Sequence, residues 1–326
     1  MRGIKKTILN HLHTPKTFWE LMRNQDVNAV QLINILNNLY EQGIIEMKTQ
    51  KIYLTQRGEK QDSKVRLNRH TRCDFCDSGY LIDGFGDIYY RFKSYYDTKP
   101  KNIPGFDQGS MRCKDVLKRL VFIYDKGDLC NTRILILGDD DLLSIAIAMT
   151  GLPQEIVVLD IDERLVHYIH DVSSKEHLNI ETEVYSIENK VPLQKKMDVF
   201  ISDPVESLVG IKLFLSRGIS LLANGGRFYF GLTHIDSSLS KWQKIEQMLV
   251  NGSCVITDVV RDFAFYPGVY YKNIKERLFF DPGLPPKSWY TSSLIRGVKL
   301  EDKISESGSV SLGTSLYKDD ETITVK

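Results

Sequence analysis

The chain has 326 residues, enough for two domains, and its 43 lysines and arginines nearly cancel its 42 aspartates and glutamates. That balance gives no global attraction to nucleic acid or to a membrane surface, and no apolar run approaches the ~20 residues that span a bilayer. Five cysteines, an odd number scattered through a long chain, and an N-terminus without the apolar core of a secretory signal predict reduced thiols and a cytoplasmic address.

In residues 1–60, Ile4, Ile8 and Leu9 recur at helical spacing and residues 18–22 fit a short second helix. Val30, Leu32, Ile33, Ile35, Leu36 and Leu39 mark a third, which Gly43 ends. Residues 44–47 and 51–55 then alternate as two short strands. Three helices and a hairpin predict an N-terminal winged-helix domain. Its third helix carries Asn28, Gln31, Asn34, Asn37 and Asn38 but no lysine or arginine, whereas phosphate contacts need cations. The expectation is a packing or dimerisation role, in a homodimer, with nucleic acid not a partner.

Residues 61–127 read as a polar linker followed by a small β-rich connecting region. Cys73 and Cys76 form a CxxC turn, which supplies two of the four ligands of a structural zinc. Cys113, Cys130 and Cys254 provide no second pair, so a tight turn with two thiols is expected and no metal. Residues 88–96 are aromatic-rich and strand-like, 100–109 form a loop, and 115–124 read as a helix.

Residues 128–298 carry the informative pattern. Ile134-Leu135-Ile136-Leu137 fits a strand buried on both faces, and the run stops at Gly138, followed by Asp139, Asp140 and Asp141. Residues 142–149 are apolar with helix-compatible spacing. Strand, glycine turn and helix open a doubly wound nucleotide-binding sheet, yet three carboxylates at the tip repel phosphate and attract cations. A second strand, 155–159, ends at Asp160-Ile161-Asp162, at the spacing from which an acid grips a ribose diol. A helix over 164–173 and a third strand over 183–187 follow. The fourth strand, 198–202, ends in Asp203-Pro204-Val205-Glu206-Ser207, a carboxylate on a proline-stiffened turn at the ligand side of the sheet. Residues 208–222 form a long helix, 227–230 a fifth strand and 241–250 a helix. Residues 254–260 with 277–280 make a final antiparallel pair. The rhythm predicts an α/β, methyltransferase-like doubly wound (Rossmann-like) sheet. Residues 299–326 are a polar tail, read as disordered or as a lid over the site.

With these stretches in hand, the chain resembles the branched-chain polyamine synthases, the N(4)-bis(aminopropyl)spermidine synthase family. The resemblance rests on Gly138-Asp139-Asp140-Asp141-Leu142, Leu159-Asp160-Ile161-Asp162-Glu163-Arg164 and Asp203-Pro204-Val205-Glu206-Ser207. Gly231-Leu232-Thr233-His234, Arg261-Asp262-Phe263, Trp289-Tyr290 and the Asp107-Gln108 loop add to it. Three positions depart from the family pattern. Val205 and Ser207 replace the second proline and the threonine of Asp-Pro-Pro-Glu-Thr, and Ser186 follows Tyr185 where the family has an aspartate.

The resemblance implies decarboxylated S-adenosylmethionine as co-substrate with no further cofactor, spermidine as acceptor, and methylthioadenosine as the released product. Gly138, Asp139, Asp140, Asp141 and Asp160 are then the donor-binding residues. Asp162, Asp203 and Glu206 bind the acceptor, with Asp203 as proton acceptor and Asp162 as the alternative. The residues fit this chemistry in their own right, because donor and acceptor are both cations. Two other classes stay open: an S-adenosylmethionine-dependent amine methyltransferase, and a winged-helix regulator that senses a polyamine.

Overall fold

A computed structural model describes residues 5, 8–9, 11–12, 14–23, 27–60, 82–267, 271–286, 289–304 and 308–324. Cys73 and Cys76 lie outside the described residues. Among the described ones no group of side chains could hold a metal ion, and no helix is long and apolar enough to cross a membrane.

A seven-stranded sheet organises the chain. Its strands are β3 (Arg133–Leu137), β4 (Glu155–Asp160), β5 (Ile180–Val184), β6 (Met197–Ser202), β7 (Leu222–Leu232), β8 (Cys254–Phe265) and β9 (Thr291–Lys299). β1 (Ile45–Lys48) and β2 (Lys51–Leu54) form a separate antiparallel hairpin. The order in the large sheet is β5-β4-β3-β6-β7-β9-β8, parallel from β5 to β7, with β9 antiparallel to both its neighbours. β3, β4 and β6 are covered on both faces, which is why they read as continuous aliphatic runs. Ile134, Ile136, Val158 and Ile201 enter one core layer, while Leu135, Leu137, Leu159 and Phe200 enter the other. After β5 the chain returns to the far side of β3 to lay down β6, so the strand order reverses there. The crevice beyond that point is where this architecture binds ligands.

The N-terminal elements are α1 (Phe18–Arg23) and α2 (Ala29–Glu41), followed by the hairpin. Asn28 and Gln31 close a reciprocal capping box at the start of α2. This unit does not stand apart. Phe18, Trp19, Leu32 and Leu36 belong to the same continuous core as Ile235, Ile274, Trp289 and Tyr290, and the Ala29 amide donates to the Ile235 carbonyl at 2.8 Å.

Four expectations need correction. The stretch 88–96, read as a strand in a β-rich region, lies in the helix α4 (Gly86–Tyr96) after the short α3 (Gln56–Glu59). Its buried residues, Ile88 and Phe92, are four apart, and that spacing outweighs the strand preference of its tyrosines. The strand expected at 277–280 is instead the end of a short helix, Lys272–Arg277, and the chain beyond it. β8 pairs with β9, whose Thr291, Ser292 and Ser293 read as polar yet are buried; the Thr291 hydroxyl donates to Asp262 at 2.9 Å. The tail is ordered where described. Leu316 and Ile323 are buried, the Ile323 amide donates to Asp236 Oδ1 at 2.6 Å, and Lys241 pairs with Asp319 at 2.9 Å. The third strand also lies earlier than expected, at Ile180–Val184, which leaves Tyr185 and Ile187 beyond its end.

Candidate active site

The carboxyl ends of β3, β4 and β6 open onto a cleft of about 640 Å³. Asp107, Asp140, Asp160 and Asp203 line it together with Gly138, and Leu159, Ile187, Val205, Phe214 and Leu316 give it an apolar wall. Tyr317 from the tail completes the wall, so this segment roofs the cleft. The Ser207 hydroxyl, which caps the helix α8 (Leu208–Leu221), also donates to the Leu316 carbonyl at 2.5 Å and pins the roof to the Asp203–Ser207 turn. Here α5 (Cys113–Asp125), α6 (Leu143–Ala148) and α7 (Glu163–Glu176) complete the numbering up to α8.

The three aspartates after β3 separate into three roles. Gly138 turns the chain with φ +75°, a conformation that glycine adopts without a steric penalty. Asp139 accepts from the Ser144 hydroxyl at 2.5 Å and from the Ser144 amide at 3.3 Å, and burial pushes it up to about 8. It braces the start of α6 and is not among the residues that line the cleft. Asp141 accepts from the Met111 amide at 2.8 Å; burial, with the charges of Asp140 and Asp203, raises it well above the usual range. It too lies outside the wall. Asp140 alone of the three lines the cleft. Among the described residues its carboxylate accepts from the Ser110 hydroxyl alone, at 3.4 Å. Burial lifts it to about 6, opposed by Lys99 and reinforced by Asp160 and Asp203.

Asp160, at the end of β4, accepts from the amides of Asp139 and Asp162, each at 2.8 Å, which fixes its carboxylate in the wall. Burial raises its pKa. Asp162 is different. Its carboxylate caps α7 and accepts from Arg164 Nε at 3.0 Å, Arg164 Nη2 at 2.7 Å and Gln108 at 3.1 Å. Burial opposes ionisation, but the bonds from Arg164 and Gln108 outweigh it and hold the group below the ordinary carboxylate range. A carboxylate so engaged, and absent from the cleft wall, is a poor proton acceptor.

Asp203 stands at the end of β6 with both oxygens engaged. Arg119 Nη2 donates to Oδ1 at 2.9 Å and the Tyr266 hydroxyl to Oδ2 at 2.8 Å. Gly231 permits this placement, since a Cβ there would lie 2.3 Å from Asp203 Oδ1. Beyond Asp203 a second acidic group gathers. Tyr290 donates to Asp236 at 3.1 Å and to Glu206 Oε1 at 3.4 Å, while Glu206 Oε2 is buried with no partner among the described residues. Burial and the charges of Asp236 and Asp107 raise Glu206 well above its usual value; burial, with Asp236, lifts Asp107 to about 7. The cleft therefore presents carboxyl groups that are short of positive partners, the arrangement a polycation would satisfy.

Arg119, Tyr266, Asp236 and Tyr317 were not singled out in the sequence. For Arg119 a signal exists: a charge amid Val116, Leu117, Leu120 and Val121 sits on the buried face of a helix, where an arginine requires an acidic partner. Tyr317 follows Leu316, one of the few apolar residues of the tail.

Comparisons with known proteins agree with this geometry. Residues 87–324 match the model of the branched-chain polyamine synthase A C-terminal domain. The N(4)-bis(aminopropyl)spermidine synthase of Methanocaldococcus jannaschii is 32% identical, over 98% of this chain and 94% of that one. The enzyme of the same name from Thermococcus kodakarensis is 30% identical over the same shares. The branched-chain polyamine synthase of Thermus thermophilus, solved in complex with N4-aminopropylspermidine and 5'-methylthioadenosine, superposes with a TM-score of 0.85 at 29% identity, covering 99% of this chain and 93% of that one. A putative RNA methyltransferase from Pyrococcus horikoshii, 12% identical with a TM-score of 0.50, shares the fold alone. A carboxylate-lined cleft at the switch point of a methyltransferase-like sheet, matched over nearly the whole chain, makes this protein a member of the branched-chain polyamine synthase family.

Proposed function

We infer that the protein transfers aminopropyl groups from decarboxylated S-adenosylmethionine to a polyamine amine, spermidine N4, and releases methylthioadenosine. The observation that carries this reading is the cleft wall, where Asp107, Asp140, Asp160 and Asp203 converge and the neighbouring cation, Arg119, is already bound to Asp203. Both substrates are cations. The apolar wall suits the adenine and methylthio groups, and Asp160 is placed to accept from the ribose diol.

The neutral acceptor nitrogen attacks the aminopropyl carbon attached to the sulfonium. A C–N bond forms, the C–S bond breaks, and its electron pair passes to sulfur, giving neutral methylthioadenosine. Because the amine is protonated near neutrality, it must lose a proton before it can attack. Asp140 lies electrostatically close to both Asp160 and Asp203, between the ribose side and the amine side, and its raised pKa, about 6, suits a base working near neutrality. We assign it as proton acceptor. Asp203, its charge compensated by Arg119, orients the nucleophilic amine, and Glu206 with Asp236 and Asp107 holds a distal amine. The N-terminal unit we read as a winged-helix-type packing module, and the tail as the roof of the cleft.

The donor test separates this reading from methyl transfer. S-adenosylmethionine carries a carboxylate that would meet Asp140 and Asp203, and like-charge juxtaposition of this kind costs on the order of a few kcal/mol. Calorimetry should show the decarboxylated donor binding at least about tenfold more tightly than S-adenosylmethionine. Equal affinities would favour a methyltransferase.

The same carboxyl groups make stability depend on pH. Asp107 and Asp140 stand at about 7 and about 6 against a reference of 3.8. The stability linked to these raised values is complete below the reference value and is lost as pH rises through 6 to 7. Spermidine pairs with the ionised carboxylates, so the rise in melting temperature it gives should be larger at about pH 8 than at about pH 5. A pH-independent shift would count against these groups as its ligands.

A further inference from the structure

A chain of rings leads from the N-terminal unit to the amine-binding carboxylates. Trp19, on α1, meets Trp289 edge to face at 5.1 Å between centroids. Trp289 meets Tyr290 at 5.4 Å, and Tyr290 meets Tyr266 at 5.8 Å. All four rings are buried. The two tyrosines at the end of the chain carry the hydroxyls that bond Asp236, Glu206 and Asp203. Trp19 is itself fixed, because its indole N–H donates to the Pro282 carbonyl at 3.2 Å and its ring also meets Tyr271. A parallel contact ties α1 to the same loop, where His234 Nε2 and the Met22 carbonyl lie 3.3 Å apart, two residues before Asp236.

We propose that Trp19 is a positioning residue for the acceptor: packed against Trp289, it holds Tyr290 and Tyr266 where their hydroxyls aim the carboxylates at the polyamine. Close-packed rings transmit displacement, since a void on one side lets the neighbour shift. Asp160 and the apolar wall, which take the nucleoside, stand outside this chain of contacts. The N-terminal unit thereby becomes part of acceptor recognition, where the sequence suggested only packing or dimerisation.

The inference rests on the assignment of Asp203, Glu206 and Asp236 to the acceptor. The test compares full-length wild type, Trp19→Ala, Trp19→Phe and Leu36→Ala. Leu36 is fully buried in the N-terminal unit and is not one of the linked rings, so it reports simple destabilisation. Displacements of the order of an ångström far from the chemistry can cost ~10²-fold. Trp19→Ala should therefore raise KM for spermidine about 10- to 100-fold, with methylthioadenosine affinity unchanged. Trp19→Phe should recover most of the loss, and Leu36→Ala should lower the melting temperature without moving the acceptor KM. If Trp19→Ala does not fold, Trp19→Leu carries the same comparison. An unchanged acceptor KM in a folded Trp19 variant, or an equal loss for donor and acceptor, overturns the proposal. Absence of transfer by the wild type would instead overturn the assignment on which it rests.

Discussion

Replacing Asp140 by asparagine is expected to lower turnover by ~10²–10⁴-fold at neutral pH, the range that general-base catalysis supplies. The acceptor is an amine with a pKa of ~10, so about one molecule in a thousand carries a free nitrogen at pH 7, a cost of roughly 4 kcal/mol. A carboxylate at the reacting centre offsets part of this by taking the ammonium's proton before the nitrogen attacks. Asp140 can do so because it lines the cleft, keeps lone pairs free beyond the long contact to Ser110, and is raised to about 6. The base must be ionised, so wild-type kcat/KM should fall as pH drops through about 6. The asparagine variant should lack this inflection, and its deficit should narrow as pH approaches the amine's own pKa. Methylthioadenosine, which has no ammonium, should bind the variant normally. Near-normal turnover at neutral pH would remove Asp140 from the role.

The second large effect concerns Arg119 and Asp203. Arg119 is 3% exposed and its Nε has no partner among the described residues, while the Asp203 side chain is 21% exposed. Breaking a buried pair by removing one partner typically costs about 3–5 kcal/mol, because the other charge stays behind uncompensated. Asp203→Asn should approach this range, trimmed by the solvent that reaches the pair, and should abolish most activity because the amine loses its orienting anion. Arg119→Met should also destabilise, leaving the Asp203 carboxylate without its cation. The double variant should recover much of the stability of either single one, yet no activity. Urea unfolding of the four proteins gives the coupling directly; strictly additive losses would mean that the two side chains do not act as a pair.

Much of the sheet was legible because buried parallel strands must be aliphatic. Ile134 to Leu137 admits few other readings, and the acids at the ends of β3, β4 and β6 stand out against such runs. The division of labour among Asp139, Asp140 and Asp141 was not legible. Neighbouring residues in a turn point in different directions, and partners such as the Met111 amide and the Ser144 hydroxyl decide which one faces the cleft. The ion pair of Asp162 with Arg164, two residues away, was not drawn from the sequence either. The Arg119–Asp203 pair spans 84 positions of sequence, and only the packing of α5 against the sheet brings it together. β9 went unseen, and the packing of the tail was not legible, because buried hydroxyls like those of Thr291 and Thr324 look like surface until their partners are known.

The central claim is tested most directly by incubating the protein with spermidine and either decarboxylated S-adenosylmethionine or S-adenosylmethionine, and identifying the products by mass spectrometry. The account predicts aminopropylated spermidine, branched at N4, together with stoichiometric methylthioadenosine from the decarboxylated donor. From S-adenosylmethionine it predicts neither a methylated nor an extended amine. A methylated product, or no transfer from the decarboxylated donor with the protein folded, would contradict it.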